Sequence, residues 1–225
     1  MIPWEHHDST PVPGNDETLG LFKRGKEFSI RLGGCELMNS RIHGSEDVLA
    51  ELACAKIFGF PRPRVLIGGL GMGYTLAAAL NRLGNEAQVI VAELLPAVVK
   101  WNRGPLAYLA GHPLEDKRAT VREIDVAQII QESQQAFNAI LLDVDNGPEG
   151  LTRQDNDWLY TRAGIEAAFT ALRPAGVLAV WSAGSDRGFT RRLQLSGFEV
   201  NEIRVRAQSR RKGWRHTIWT AVRSS

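Results

Sequence analysis

The sequence predicts an α/β fold: a doubly wound, mostly parallel sheet that ends in a C-terminal antiparallel β-hairpin and carries a small N-terminal β-appendage. Three observations predict it. From Arg64 onward, short apolar runs alternate five times with segments of helical spacing, the pattern of successive strand–helix units. Near the end, "FEVNEIRVRA" and "HTIWTAVR" alternate apolar and polar residues with no helical segment between them. Ahead of the alternation, "LGLFKRGKEFSIRLGGCELMNS" keeps a two-residue period around Gly25 and Gly33–Gly34, which reads as two or three short antiparallel strands.

Each element follows from local chemistry. Residues 1–18, rich in Pro and acids, read as a flexible arm, and 19–60 as a short hairpin region with a leading helix. That helix is "SEDVLAELACAKIF", with Ser45 in the place of an N-cap. "FPRPR" ends it, and residues 61–225 form the main domain. There "RVLIGG", "AQVIVAEL", "ATVREID", "FNAILLDVD" and "GVLAVWSA" are the strands. "GYTLAAALNRL", "PAVVKWNRG", "VAQIIQESQQ", "DWLYTRAGIEAAFTAL" and "DRGFTRRLQLSG" are the helices, Pro96 standing at an early helical position where its missing N–H costs nothing.

Bulk properties bound the function. The chain has 225 residues, 44% hydrophobic and 23% charged, ordinary for one globular domain with a small appendage. A net charge of +2 argues against nucleic acid as the partner. No apolar run is long enough to span a bilayer, so no membrane partner is expected. Two cysteines, Cys35 and Cys54, make neither a disulfide framework nor a zinc pattern and read as core residues. The N-terminus lacks the charged-then-apolar pattern of a signal peptide, so the expected location is cytoplasmic.

In a doubly wound sheet, ligands sit beyond the carboxyl ends of the strands. Four residues or groups end predicted strands: the cluster Gly69, Gly71 and Gly73, then Glu93, Asp125 and Asp143. Glycine after a first strand permits a tight turn and brings a ligand against backbone N–H groups. Dinucleotides and adenosyl sulfonium compounds are the two cofactor classes bound this way. The dinucleotide fingerprint G-x-G-x-x-G requires a third glycine at position 74, where Tyr74 stands, so the G-x-G-x-G register favours a nucleoside without a diphosphate. Glu93, about twenty residues on, can take both ribose hydroxyls; Asp125 can accept from an adenine amino group.

"VLIGGLGMGYTL", "VAELLPAVVKWN", "VREIDV", "ILLDVDNGPEGLT" and "LRPAGVLAVWS" resemble the polyamine aminopropyltransferases, the spermidine synthase-like family, within the class I methyltransferase-like (Rossmann-like) fold. The resemblance runs from about Phe28 to Val222. It implies S-adenosylmethionine or its decarboxylated form as cofactor, no metal, a small amine acceptor and a homodimer. By it Glu93 binds the ribose, Asp125 the adenine amino group, and Gly69, Gly71, Met72 and Gly73 the sulfonium side chain.

The departures from the family fall on the acceptor side. The family's glycine loop reads GGGDGG; anchoring on Thr75–Leu76 puts Met72 where its Asp stands. That acid holds the ammonium end of the aminopropyl group and would repel the extra carboxylate of S-adenosylmethionine by about 1–4 kcal/mol at ~4 Å. Met72 lifts the repulsion and admits the methyl donor. The family's Asp-x-x-Asp-Pro motif keeps Asp143 but has Asn146 as its second member, and a neutral amide cannot be a general base. Asp143 is therefore expected to position the acceptor and Asp145 to act as base. A Tyr-His pair before the first family helix is also missing; His43, Glu46 and Asn146 are expected to contact the acceptor.

Two other readings stay open: a catalytically silent nucleoside-binding protein, and an NAD(P)-dependent oxidoreductase. The acidic loop from Asp143 to Asp157 either faces a cationic acceptor or is solvated with Asp155 or Asp157 capping the next helix. Arg210, Arg211, Lys212 and Arg215 around Trp214 read as an exposed hairpin tip or a clamp for an anion. His6 and His7, between Glu5 and Asp8, resemble a metal cluster only on paper.

Overall fold

The computed structural model describes residues 2–13, 17–144, 157–206 and 215–224. Four antiparallel strands come first: β1 (Glu5–Pro11), β2 (Thr18–Arg24), β3 (Glu27–Leu32) and β4 (Cys35–Asn39), paired in chain order. Residues 1–18 are thus not a loose arm, because Glu5–Pro11 pairs with β2. Its alternation is masked in sequence by polar residues on both faces; Asp8, which accepts from Trp101 Nε1 (2.9 Å) and Lys100 Nζ (3.2 Å), ties it to the main domain.

Helix α1 (Gly44–Lys56) leads into the second sheet. It starts at His43, whose side chain makes no capping bond, so Ser45 is the second residue of the helix rather than its cap. The alternating units follow: β5 (Arg64–Gly68), α2 (Tyr74–Arg82), β6 (Gln88–Ala92), α3 (Pro96–Arg103), β7 (Ala119–Arg122), α4 (Val126–Gln131) and β8 (Phe137–Leu142). Then come α5 (Asp157–Tyr160), α6 (Arg162–Ala171), β9 (Leu172–Ser182), α7 (Arg187–Leu195), β10 (Phe198–Arg206) and β11 (Arg215–Arg223). The helix expected as one piece is broken at Thr161, whose hydroxyl caps α6 by accepting from Gly164 N–H at 3.2 Å.

The second sheet has the order β7-β6-β5-β8-β9-β11-β10. β5 to β9 pair in parallel, and β11 is antiparallel to both β9 and β10. Alternate side chains of one strand serve opposite faces. Val65 and Ile67 of β5 join one buried cluster with Ala139 and Leu141 of β8, while Leu66 joins the other with Ile140 and Leu142. The apolar face of the N-terminal sheet, Leu19, Leu21, Phe28 and Ile30, is continuous with the first cluster. That packing sets the appendage over the carboxyl ends of β5, β6 and β8. Among the described residues, no helix is long and apolar enough to cross a membrane.

Candidate functional site

The chain order reverses at β5, which lies between β6 and β8, so the crevice at its carboxyl end is where a ligand is expected. β5 ends in Gly68, and the turn to α2 needs a left-handed backbone at Gly69 (φ 88°) and Gly71 (φ 52°). A Cβ on Gly69 would run into the Asp143 carbonyl oxygen; one on Gly71 would sit 2.8 Å from Met38 Cε. Gly73 is different. It is the N-cap of α2 and its missing Cβ makes room for Asn102 and Pro113, not for the crevice.

Glu93, 8% exposed, follows β6. Its Oε2 accepts from Leu70 N–H (2.9 Å) and its Oε1 from Leu95 N–H (2.8 Å), so the carboxylate bridges the glycine turn and the start of α3. A carboxylate oxygen has two lone-pair sites and is the kind of acceptor that a sugar hydroxyl donates to. Asp125 is the N-cap of α4, its Oδ1 accepting from Ala127 N–H at 2.8 Å. Both acids line one cavity of about 170 Å³ with Gly69, Gly71 and Asp143. Its remaining walls are apolar: Leu94, Leu95, Ile124 and Val126 from the main domain, and Val12, Leu19, Ile30 and Leu32 from the N-terminal sheet. An apolar slot with a carboxylate at each of two strand ends fits an adenine ring and its ribose diol.

Asp143, after β8, stands at the inner end of that slot. Its Oδ2 accepts from Thr75 Oγ1 at 2.5 Å. Burial raises its pKa to about 6 despite that bond. On its other side lies a second cavity of about 260 Å³, lined by Asp143, Glu36, Asn39, Glu46, Trp181 and His216 among others. A narrow recess bordered by Met38, Glu46, Met72, Thr75 and Asp143 also adjoins the two. Met38 and Asp143 border all three spaces.

Glu46, in the first turn of α1, has its pKa raised to about 7, by burial first and by the neighbouring Asp143 second, with the Ser45 hydrogen bond acting against the rise. Ser45 Oγ donates to Glu46 Oε2 at 2.6 Å and lies 3.0 Å from His216 Nδ1. The His216 ring meets Trp181 edge-on with centroids 4.6 Å apart, and burial lowers its pKa.

The structure therefore brings together Gly69, Gly71, Glu93, Asp125 and Asp143 around one slot, and Glu46 with Asp143 around the next. Met72 is buried (2% exposed) and borders the recess rather than the slot. His43 borders none of these cavities: it stacks on Tyr74 (centroids 4.1 Å apart) and pairs with Asp47 at 2.9 Å. Tyr74 opens α2 and donates to Ser40 O (3.2 Å). Asp145 and Asn146 lie outside the described residues, as do most of the acidic loop and the basic stretch 207–214. Cys35 is exposed, not core; Cys54 is buried. Among the described residues no group of three or more metal-ligating side chains could hold a metal ion. Sequence reasoning missed Ser45, Thr75, Trp181 and His216, which reach the site from four separate elements.

No protein-family profile matches the chain, and no curated protein is similar to it in sequence. Solved structures are similar to it. A spermidine synthase in complex with the transition-state analogue AdoDATO superposes with a TM-score of 0.75 at 19% identity, covering 97% of this chain and 72% of that one. Spermidine synthase from Thermotoga maritima gives 0.76 at 19% identity, over 97% and 73% of the two chains. A candidate O-methyltransferase from Klebsiella pneumoniae gives 0.56 at 19% identity, over 80% of each. The chain has the class I methyltransferase-like fold in its spermidine synthase-like form, N-terminal sheet and C-terminal hairpin included.

Proposed function

We propose that this chain is a transferase that moves a carbon group from an adenosyl sulfonium donor to a small amine. The observation that carries the reading is the position of Asp143, which borders the apolar slot as well as the acid-lined cavity. A donor in the slot and an amine in the cavity would meet there. The donor supplies a carbon already activated by a positive sulfur, so the protein's task is alignment and removal of one proton from the amine. Glu93 would hold the ribose, Asp125 the adenine end, and the backbone of Gly69 to Gly71 the sulfonium side chain. Met72 adds no charge beside it, which leaves S-adenosylmethionine and its decarboxylated form both admissible. The family resemblance further implies a homodimer, which analytical ultracentrifugation tests.

Calorimetry with S-adenosylmethionine, decarboxylated S-adenosylmethionine, 5′-methylthioadenosine and NAD tests the reading. The sulfur nucleosides are expected to bind and NAD not to. Glu93→Gln, which keeps the shape and removes the charge, is expected to weaken methylthioadenosine about 10–100-fold, the size of a charge-assisted hydrogen-bond pair. Tight NAD binding, or unchanged affinity in Glu93→Gln, overturns it. The nucleoside released on incubation with primary amines names the donor: adenosylhomocysteine for methyl transfer, methylthioadenosine for aminopropyl transfer.

A further inference from the structure

Resting on the transferase reading, we infer that Glu46 is the general base that takes the acceptor's proton, and that Ser45 and His216 are positioning residues acting through it. Three acids border the acceptor cavity, Glu36, Glu46 and Asp143, and the first and last are otherwise engaged. Asp143 is anchored by Thr75 at the donor junction. The Glu36 carboxylate accepts from Ser29 Oγ (2.7 Å) and Asn39 Nδ2 (2.8 Å). Asp47, next to Glu46 in sequence, pairs with His43 away from the cavity. Of the acids other than Asp143, Glu46 alone borders both the acceptor cavity and the recess leading to Asp143.

The bonding around it fixes its orientation. A hydroxyl has one hydrogen. Ser45, 1% exposed, donates that hydrogen to Glu46 Oε2, so the contact between Ser45 Oγ and His216 Nδ1 requires the ring nitrogen to be the donor. The chain of bonds thus runs His216 Nδ1–H to Ser45 Oγ, then Ser45 O–H to Glu46. It spans residues 171 positions apart in sequence. Neutral and protonated His216 both carry a hydrogen on Nδ1 in this arrangement, so the orientation survives a change of His216 charge. Among the described residues no other side chain bonds the Glu46 carboxyl, whose further hydrogen bond comes from its own backbone N–H.

The groups facing Glu46 are Asp47 on its own helix, Asp143 beyond β8, Tyr74 on α2, Glu36 on β4 and His216 on β11. None is a cation. Such a setting attracts an ammonium and leaves Glu46 a base suited to neutral pH, where proton transfer is most effective. In the step, the ammonium gives one proton to Glu46, and the freed electron pair forms the new nitrogen–carbon bond. The carbon–sulfur pair leaves with sulfur, which becomes an uncharged thioether.

Wild type is compared with Glu46→Gln, Ser45→Ala, Ser45→Thr and His216→Gln. In ring ¹⁵N spectra at pH 8, the histidine signal missing from His216→Gln is expected to show hydrogen on Nδ1, and to move toward the Nε2 tautomer in Ser45→Ala. With decarboxylated S-adenosylmethionine or S-adenosylmethionine and a panel of primary alkyl amines, Glu46→Gln is expected to lose at least ~100-fold in kcat, with methylthioadenosine affinity unchanged. Ser45→Ala and His216→Gln are expected to shift the acid limb of the kcat profile to higher pH, and Ser45→Thr to restore it. Wild-type kcat in Glu46→Gln, an unmoved limb in Ser45→Ala, or His216 protonated on Nε2 overturns the assignment. Wild type that binds methylthioadenosine but turns over none of the amines also overturns it. Failure of wild type to bind methylthioadenosine is a separate result and removes the transferase reading itself.

Discussion

Two carboxyl groups with raised pKa values share the junction between the cavities, Asp143 at about 6 and Glu46 at about 7. A carboxyl whose folded pKa lies above its ordinary value binds protons more tightly folded than unfolded. Stability therefore falls as pH rises from the ordinary carboxylate range toward neutrality, and the full cost is present above about pH 7. Neutralising Glu46 should remove part of that cost. Glu46→Gln is expected to be more stable than wild type at pH 8 by about 1–2 kcal/mol and equal to it near pH 4, read from denaturant midpoints. A Glu46→Gln protein that is less stable at pH 8 would show the acid to be a structural prop. Glu93, Asp125 and Asp143 were legible as slot-lining residues because each closely follows a strand, on the side where a doubly wound sheet opens its crevice. Ser45 and His216 were not legible: their meaning depends on a contact between α1 and β11 that no local pattern encodes.

The turn from β5 to α2 carries the most backbone constraint. Gly69 holds a left-handed conformation and touches the Asp143 backbone, so Gly69→Ala combines about 1–3 kcal/mol of strain with a collision. For a chain of this size that corresponds to a melting temperature lower by roughly 2–4 °C per kcal/mol. The same variant should also lose nucleoside affinity, because Leu70 N–H, which Glu93 grips, moves with the turn. Most element types were predictable from periodicity. The exceptions have particular causes. Thr161 is a capping residue hidden within continuous apolar spacing, and Ser45 is a capping type used instead as a hydrogen-bond link. β1 escaped notice because its partners include the indole of Trp101, more than ninety positions away.

At the scale of the molecule, the N-terminal sheet roofs the slot that the second sheet opens. A chain beginning at residue 17 loses Val12 from the slot wall and Asp8 from the Trp101 indole. It is expected to keep the circular dichroism of the main domain while binding methylthioadenosine at least ~10-fold more weakly, since uncovering one apolar side chain is worth that much. Unchanged affinity would mean that the roof is dispensable for the nucleoside. The acceptor side is assembled from still more distant parts: α1 near the beginning, β8 and β9 in the middle, and β11 near the end.

β11 is younger on the ribosome than both strands it separates. β10 therefore cannot reach its place in the sheet beside β9 until the later strand lies between them, and that strand also carries His216 to Ser45. On the transferase reading, a nascent chain halted before that insertion would have the slot but lack the anchor for Glu46.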